Sequence, residues 1–455
     1  MLRALLPQRW RRRQLRLTYA APSALRLIEG LALVVAVGTL ALMLPPVAAT
    51  GRLSFAQASF TAVSAASVTG LSVITPSVDL TFFGQLVLML LIQAGGVGFM
   101  MLAVFMLLAL RRKISLAERL ALQDSLGLGL PRAVVRIAGR TVKGILVIEG
   151  VGALLLWIHW TPLLGPSKAL WYGVFHAVSA FCNAGFDLWT GTPGFASIPT
   201  DTFTLAILGT LIVAGGLGIP VWGDLLVRRG RWSMHTRVTL ITSAVLILAG
   251  AVGIIMAEHR SGGLMHGQPW NNSLGQAVFQ SVSARTAGFS VLSDFSQLSP
   301  ASQWLITGLM FVGTGPASMG GGITTGTLAI LVLAMWSFTR GLPQAKVGMR
   351  SISPEAIRRA LAVLTVSFIL IAATTWLLLM TQTVTLDDAL FTIVSAFATT
   401  GLSTASMNEF NWFGRLIIMA MMFWGRLGAL TIVLAVARQS PPQPISYPEE
   451  NLLLG

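Results

Sequence analysis

Eight long apolar runs, near residues 27–49, 82–110, 144–160, 202–227, 238–257, 303–337, 361–380 and 413–437, limit this chain more than any other feature. A bilayer core about 30 Å thick takes roughly 20 apolar residues per helix. Backbone groups inside it must be satisfied internally, so each run reads as a membrane-spanning helix. The charge count agrees, with 10% Asp, Glu, Lys and Arg over 455 residues against about 25% in soluble domains. A water-soluble fold of this size is nearly excluded. The single cysteine, Cys182, rules out a disulfide framework and a Cys-based zinc site.

The net charge of +15 has two explanations, nucleic acid or retention of basic residues on the cytoplasmic side, and its distribution separates them. Of the 31 basic residues, 25 fall before the first run, in 111–143, 228–237 and 340–359, or at Arg438. Those places are every second connection, as an even number of spans with both termini inside requires. Nucleic-acid binding is the weaker reading. The run from Leu27 to Ala49 is also too long for a signal h-region of 7–15 residues and is read as a retained span.

Between paired spans lie four shorter apolar pieces that repeat: "FTAVSAASVTGLSV" from Phe60, "FHAVSAFCNAGFDL" from Phe175, "FQSVSARTAGFSVL" from Phe279 and "FTIVSAFATTGLST" from Phe391. Each carries Phe, then Ser four residues later (Ser64, Ser179, Ser283, Ser395), then Gly70, Gly185, Gly288 or Gly401. The third is one residue shorter between Ser and Gly, so strict fourfold symmetry is not expected. The expected fold is an all-α polytopic membrane protein with four pseudo-symmetric helix, pore-loop, helix repeats around a central ion pore. Its organisation is a basic cytoplasmic N-terminal tail (1–26), repeat 1 (27–113), repeat 2 (136–229), repeat 3 with a broken inner helix (237–341), repeat 4 (358–438) and a cytoplasmic C-terminal tail (439–455).

A short helix entering from outside and stopping midway aims the negative end of its dipole at the bilayer centre. The returning segment must be buried or line a water-filled path, where its carbonyls can replace a cation's hydration shell. Glycine supplies the backbone angles this requires. The carbonyl donors expected around the four glycines are Val68 and Thr69, Asn183 and Ala184, Thr286 and Ala287, and Thr399 and Thr400. Asp79, Asp187, Asp201, Glu258, Asp294, Asp387, Asp388 and Glu409 fall on outer segments and would raise cation concentration there; solvated loop charge explains each equally well taken singly.

The sixth run holds "GTGPASMGGGITTGT" from Gly313 to Thr327. Glycine and proline weaken helical hydrogen bonding, so the stretch predicts a helix broken below the filter, its loop blocking the cavity until moved; close small-residue packing would instead leave a continuous helix. It has no Walker lysine. Arg426 in "FWGRLGALT" lies mid-span, where charge needs a cavity or a polar partner, and carbonyls freed in the broken span would serve.

The fourfold pattern resembles the superfamily of bacterial Trk and Ktr potassium-uptake subunits and plant high-affinity potassium transporters, over about residues 22–438. Because the chain begins directly with the first unit, it is more similar to Ktr than to the longer Trk subunits. The resemblance implies potassium as the main ion. Gly70 stands where plant sodium-preferring members carry serine. It also implies gating through Gly313, Gly315, Pro316, Gly320, Gly321, Gly322 and Thr324 together with Arg426, although Thr324 stands where the family often has Lys. Arg285 matches the family's "RTAGF" and is expected to bind carbonyls at the pore-helix end. The partners implied are a homodimeric second copy, membrane lipid and a cytosolic nucleotide-binding regulatory ring, in a bacterial cytoplasmic membrane. Sodium is a candidate activator, and no cofactor is expected on the chain.

The five histidines lack metal-ligand spacing, and no HExxH, GxSxG or facing carboxylate pair is present, so an enzyme is not expected. An alternating-access, cation-coupled secondary transporter is the alternative, but it calls for inverted repeats, whereas these four run in the same direction. The motifs "QAGGVG" (93–98) and "AGGLG" (214–218) are expected to pack inner helices on pore helices.

Overall fold

The computed structural model describes residues 22–97, 131–227, 232–260, 262–292, 295–347 and 350–428. Most of the N-terminal tail, the basic segment to 130, Asp294, Arg438 and the C-terminal tail lie outside them. The first unit comprises α1 (Pro22–Leu42), α2 (Phe55–Ser67) and α3 (Phe82–Gly96). The second comprises α4 (Pro131–Leu164), α5 (Pro166–Phe181), α6 (Thr202–Gly216) and α7 (Ile219–Val227). The third comprises α8 (Met234–Glu258), α9 (Trp270–Ser283), α10 (Pro300–Phe311) and α11 (Thr325–Thr339), and the fourth α12 (Pro354–Thr381), α13 (Leu386–Ala398) and α14 (Trp412–Leu427). A two-residue antiparallel pair, β1 (Lys346–Val347) with β2 (Arg350–Ser351), precedes α12.

Local chemistry sets the helix ends. Ser54 and Gln57 form a capping box at α2, and Thr81, Asp201, Ser299 and Asn411 cap the return helices α3, α6, α10 and α14 by accepting a backbone N–H. Each satisfies a donor that the first helical turn leaves orphaned. The first span stops at Leu42 and not at Ala49, because Pro45 and Pro46 follow and Ala48 bridges to Leu80. The fourth run breaks between α6 and α7 at Gly218, whose φ is +85°, and Gly428, with φ +79°, caps α14 at the edge of the described residues.

Each short helix packs on the return helix of the preceding unit and on one helix of its own unit, the return helix in units one, two and four and the entering span α8 in unit three. α2 meets α3 and α14, α5 meets α6 and α3, α9 meets α6 and α8, and α13 meets α14 and α10. The four units therefore follow one another around a closed ring in chain order. Among the described residues, Val142–Leu164, Met234–Glu258 and Pro354–Thr381 are long and apolar enough to cross a membrane, and Phe82–Gly96 and Thr202–Gly216 are shorter apolar helices. Large apolar side chains point outward, such as Ile241, Val245 and Met256 on α8, while Ser64, Ser179, Ser283 and Ser395 are completely buried. A hydrophobic exterior around a polar centre is the inverse of a soluble domain. The chain is an all-α polytopic membrane protein.

Glycine allows the close crossings. A Cβ on Gly95 would strike the carbonyl oxygen of Ala66, one on Gly215 that of Phe181, and one on Gly425 that of Phe397. The return helix thus lies directly on the end of the short helix in units one, two and four. Alanine in place of helical glycine ordinarily stabilises by about 1 kcal/mol. Here collision with rigid backbone outweighs that gain. Gly215→Ala is expected to lower the melting temperature of the detergent-solubilised protein by a few degrees. Gly144→Ala, whose Cβ would meet nothing within 4 Å, is expected to leave or raise it.

Candidate functional site

After each short helix the chain enters the left-handed region, at Val68 (φ 57°), Asn183 (57°), Thr286 (84°) and Thr399 (52°), and enters it again at Gly70 (92°), Gly185 (68°), Gly288 (76°) and Gly401 (93°). A residue bearing Cβ gives up roughly 1–2 kcal/mol there, so four such residues at equivalent places mark an imposed conformation. The alternation departs from a β-strand, where successive peptides face opposite ways, and it turns neighbouring carbonyls toward one side.

The four strands meet. A Cβ on Gly70 would collide with Ala184 O, on Gly185 with Ala287 O at 2.6 Å, on Gly288 with Thr400 O, and on Gly401 with Thr69 O. The Cα of the next glycine lies 3.1–3.3 Å from each such position. Four glycines and four carbonyl oxygens therefore close one ring, each glycine seated against the oxygen of the following unit. The eight residues named around the glycines lie with them on these strands. Asn183 and Thr286 also meet directly, the amide 3.0 Å from Oγ1.

The repeated serines hold these strands, a role that the spacing alone did not give. Ser64 O, Ser179 O, Ser283 O and Ser395 O accept the N–H groups of Thr69, Ala184, Ala287 and Thr400, each at 2.8 Å. In units one and four the hydroxyl accepts the glycine N–H as well, from Gly70 and Gly401 at 3.0 Å. In units two and three it donates instead to Phe186 O at 2.7 Å and Phe289 O at 2.6 Å. Backbone donors are thus consumed inside the short-helix ends.

The sixth run is interrupted between Phe311 and Thr325. Val312 and Ile323 form a parallel bridge, and the loop between them lies directly against the strands: Gly321 N–H donates to Thr399 Oγ1 at 3.0 Å, and a Cβ on Gly320 would strike Thr286 Oγ1. Gly315 N–H donates to Gly216 O at 2.8 Å and Met319 N–H to Gly215 O at 3.2 Å, so the broken fourth run receives the loop. Gly322 takes φ +74°. Gly313 sits beside Gly321, and Pro316 O faces Gly218. Thr324 caps α11 by accepting Thr327 N–H, a bond that a lysine at this position would not supply. Arg426 donates to Met319 O, to Gly95 O and to Gly96 O, the last at 3.1 Å. One half-buried arginine therefore joins the loop to the end of α3.

A family model, TrkH, described as cation transport protein, matches residues 31–446. The chain belongs to the TrkH family. It is 35% identical to the Ktr system potassium uptake protein B of Vibrio alginolyticus, over 90% of each chain. It is 34% identical to the potassium/sodium uptake protein NtpJ of Enterococcus hirae, over 88% of this chain and 90% of that one. The crystal structure of the potassium transporter TrkH from Vibrio parahaemolyticus superposes with a TM-score of 0.72 at 17% identity, covering 92% of this chain and 85% of that one.

Arg285 departs from expectation. It does not bind the end of its own short helix but reaches across to Ser243 on α8, at 3.4 Å, and to Gly313 O at 3.1 Å. A freed carbonyl in the interrupted helix is the stronger acceptor, since the end of α9 is already satisfied by its own turn. The outer acids are also more structural than a bare charge count implies. Asp79 accepts Thr75 N–H, Asp187 accepts Thr190 N–H, Glu258 accepts Leu264 N–H and both Ser299 donors, and Asp388 accepts Thr404 Oγ1. Burial works against the charge on Asp201, but the Thr204 N–H and hydroxyl and the His159 contact outweigh it, and its pKa is lowered.

In this TrkH-family chain, Gly70→Ala or Gly288→Ala is expected to cut cation flux into proteoliposomes by about tenfold or more, through strain and a blocked ring. Gly275→Ala on α9, where a Cβ would meet nothing within 4 Å, is expected to leave flux unchanged.

Proposed function

We propose that this chain carries potassium into a bacterial cell across the cytoplasmic membrane, through a gated filter of main-chain carbonyls. The closed ring of Gly70, Gly185, Gly288 and Gly401 against the oxygens of Ala184, Ala287, Thr400 and Thr69 carries the reading. Four short-helix C-termini direct the negative ends of their dipoles at that ring, and carbonyl oxygens there suit a monovalent cation shedding water. Potassium as the ion is supported by the names of the relatives, one of which also names sodium.

The loop between Val312 and Thr324 acts as the gate in this reading. It lies beneath Thr286 and Thr399 and is tied by Arg285 and Arg426. Arg426 adds a positive charge under the filter, so displacement of the loop must also move the guanidinium from the cation's route. A homodimer under a cytosolic nucleotide-binding ring, with both termini inside, completes the proposal. It draws on the Ktr resemblance and on basic clusters at alternate connections.

Expression in a potassium-uptake-deficient bacterium is expected to restore growth at low potassium, and Gly70→Asp to abolish the rescue. Removal of part of Met319 to Gly326, or Arg426→Gln, is expected to raise potassium leak from preloaded proteoliposomes several-fold. Failure of the intact chain to rescue, with the protein present in the membrane, overturns the potassium reading; unchanged leak overturns the gate.

A further inference from the structure

The residue after the repeated phenylalanine is polar in every unit: Thr61, His176, Gln280 and Thr392. All four are completely buried. The positions are equivalent, but their bonding differs.

His176 is held at both ring nitrogens. Nδ1 lies 2.7 Å from Tyr172 O, an acceptor only, so Nδ1 carries the proton. Nε2 is thereby an acceptor, and it takes Leu188 N–H at 3.2 Å. Leu188 lies three residues past Gly185, on the segment leaving the ring. The imidazole is walled by Trp160 (5.2 Å, edge-on) and by Phe289 (6.4 Å), the residue after Gly288 in the next unit. Unit three repeats the arrangement with a longer bond, Val291 N–H to Gln280 Oε1 at 3.4 Å, again three residues past the glycine. In unit four Thr392 meets only the Ser403 hydroxyl, at 3.3 Å, and in unit one Thr61 Oγ1 has no partner among the described residues.

We infer that His176 is a positioning residue that sets discrimination between potassium and sodium, by fixing the strand that leaves the second glycine, with Gln280 its weaker counterpart. The inference rests on the proposed function. The physical reason is the size of the ring. A smaller ion is coordinated well only if the oxygens move inward, so a strand pinned from behind resists sodium more than potassium. A buried N–H without its acceptor regains a partner by shifting the strand, and that shift is the motion the strut prevents. The third and second units are coupled through Phe289, so loss of the imidazole loosens two adjacent quarters of the ring.

The test is competitive uptake of potassium and sodium by cells and proteoliposomes carrying each variant. His176→Phe, which keeps a ring but offers no nitrogen, is expected to lower the potassium-to-sodium ratio about fivefold or more while total flux persists. His176→Gln, which supplies the acceptor that Gln280 supplies in unit three, is expected to restore the ratio to within about twofold. Gln280→Leu lowers it by a smaller factor, and Thr61→Val leaves it unchanged. An unaltered ratio in His176→Phe, a Gln variant no better than Phe, or an equal fall in Thr61→Val overturns the strut. If His176→Phe does not assemble, the Gln280→Leu ratio decides alone, and no fall there overturns the inference. A wild-type chain that takes up neither ion overturns the reading of the site; a potassium-transporting wild type with an indifferent strut overturns only this inference.

Discussion

The structure depends on one crowded point, where the glycine of each unit touches the carbonyl oxygen of the next. Because the contact is head to tail and closes after four members, no unit can move inward or sideways alone. A Cβ at any of these glycines opens two seams at once. The same closure explains why the backbone tolerates left-handed Val68, Asn183, Thr286 and Thr399. Their strain, of order 1–2 kcal/mol each, is offset by serine-centred hydrogen bonds behind them and by the burial of strands that only a complete ring permits. The N–H groups of Thr69, Ala184, Ala287 and Thr400 are all claimed by the ends of the short helices.

That accounting also explains the asymmetry between halves of the ring. In units one and four the serine hydroxyl spends its acceptor capacity on glycine N–H, and Leu71 or Leu402 follows. In units two and three the hydroxyl donates to the carbonyl of a following Phe, and a longer polar side chain, His176 or Gln280, reaches over to the next N–H. Adjacent units share a solution, so the pseudo-fourfold ring is built as two unlike pairs. The ring is therefore held differently on its two sides.

Much of this was legible in the sequence, and the limit is physical. Four glycines at equivalent places fixed the strands, and six glycines with one proline between Gly313 and Thr327 were enough to break a helix, since local backbone preference reads directly from residue type. Arg426 was also legible, because a mid-span charge must find freed carbonyls, and it finds Met319 O with Gly95 O and Gly96 O. The target of Arg285 was not. Arg285 and Gly313 are 28 residues apart, and no pattern says which orphan carbonyl a side chain reaches when two lie within its span. The serine roles were hidden for a related reason. A repeated serine is equally compatible with close packing, with a bond to the preceding turn and with the strand contacts it actually makes.

Two arginines, Arg285 buried and Arg426 half-buried, fasten the interrupted helix. A helix break leaves up to four carbonyls and four N–H groups without partners, and water cannot reach them all at this depth. Here the N–H groups of Gly315, Met319 and Gly321 find Gly216 O, Gly215 O and Thr399 Oγ1, while Gly313 O and Met319 O receive guanidinium donors. Hydrogen bonds to a charged group contribute roughly 1.5–3 kcal/mol, about twice the neutral kind. The loop is therefore fastened most strongly at Gly313 and Met319 and more weakly at Gly321, where it meets Thr399. In the proposed gate, displacing the loop from the strands releases the Gly321 bond and the Arg426 contact at Met319, while Arg285 still holds the Gly313 end. Gly320 to Gly322 follow Met319 directly, so the segment that touches Thr286 and Thr399 begins at the arginine contact itself.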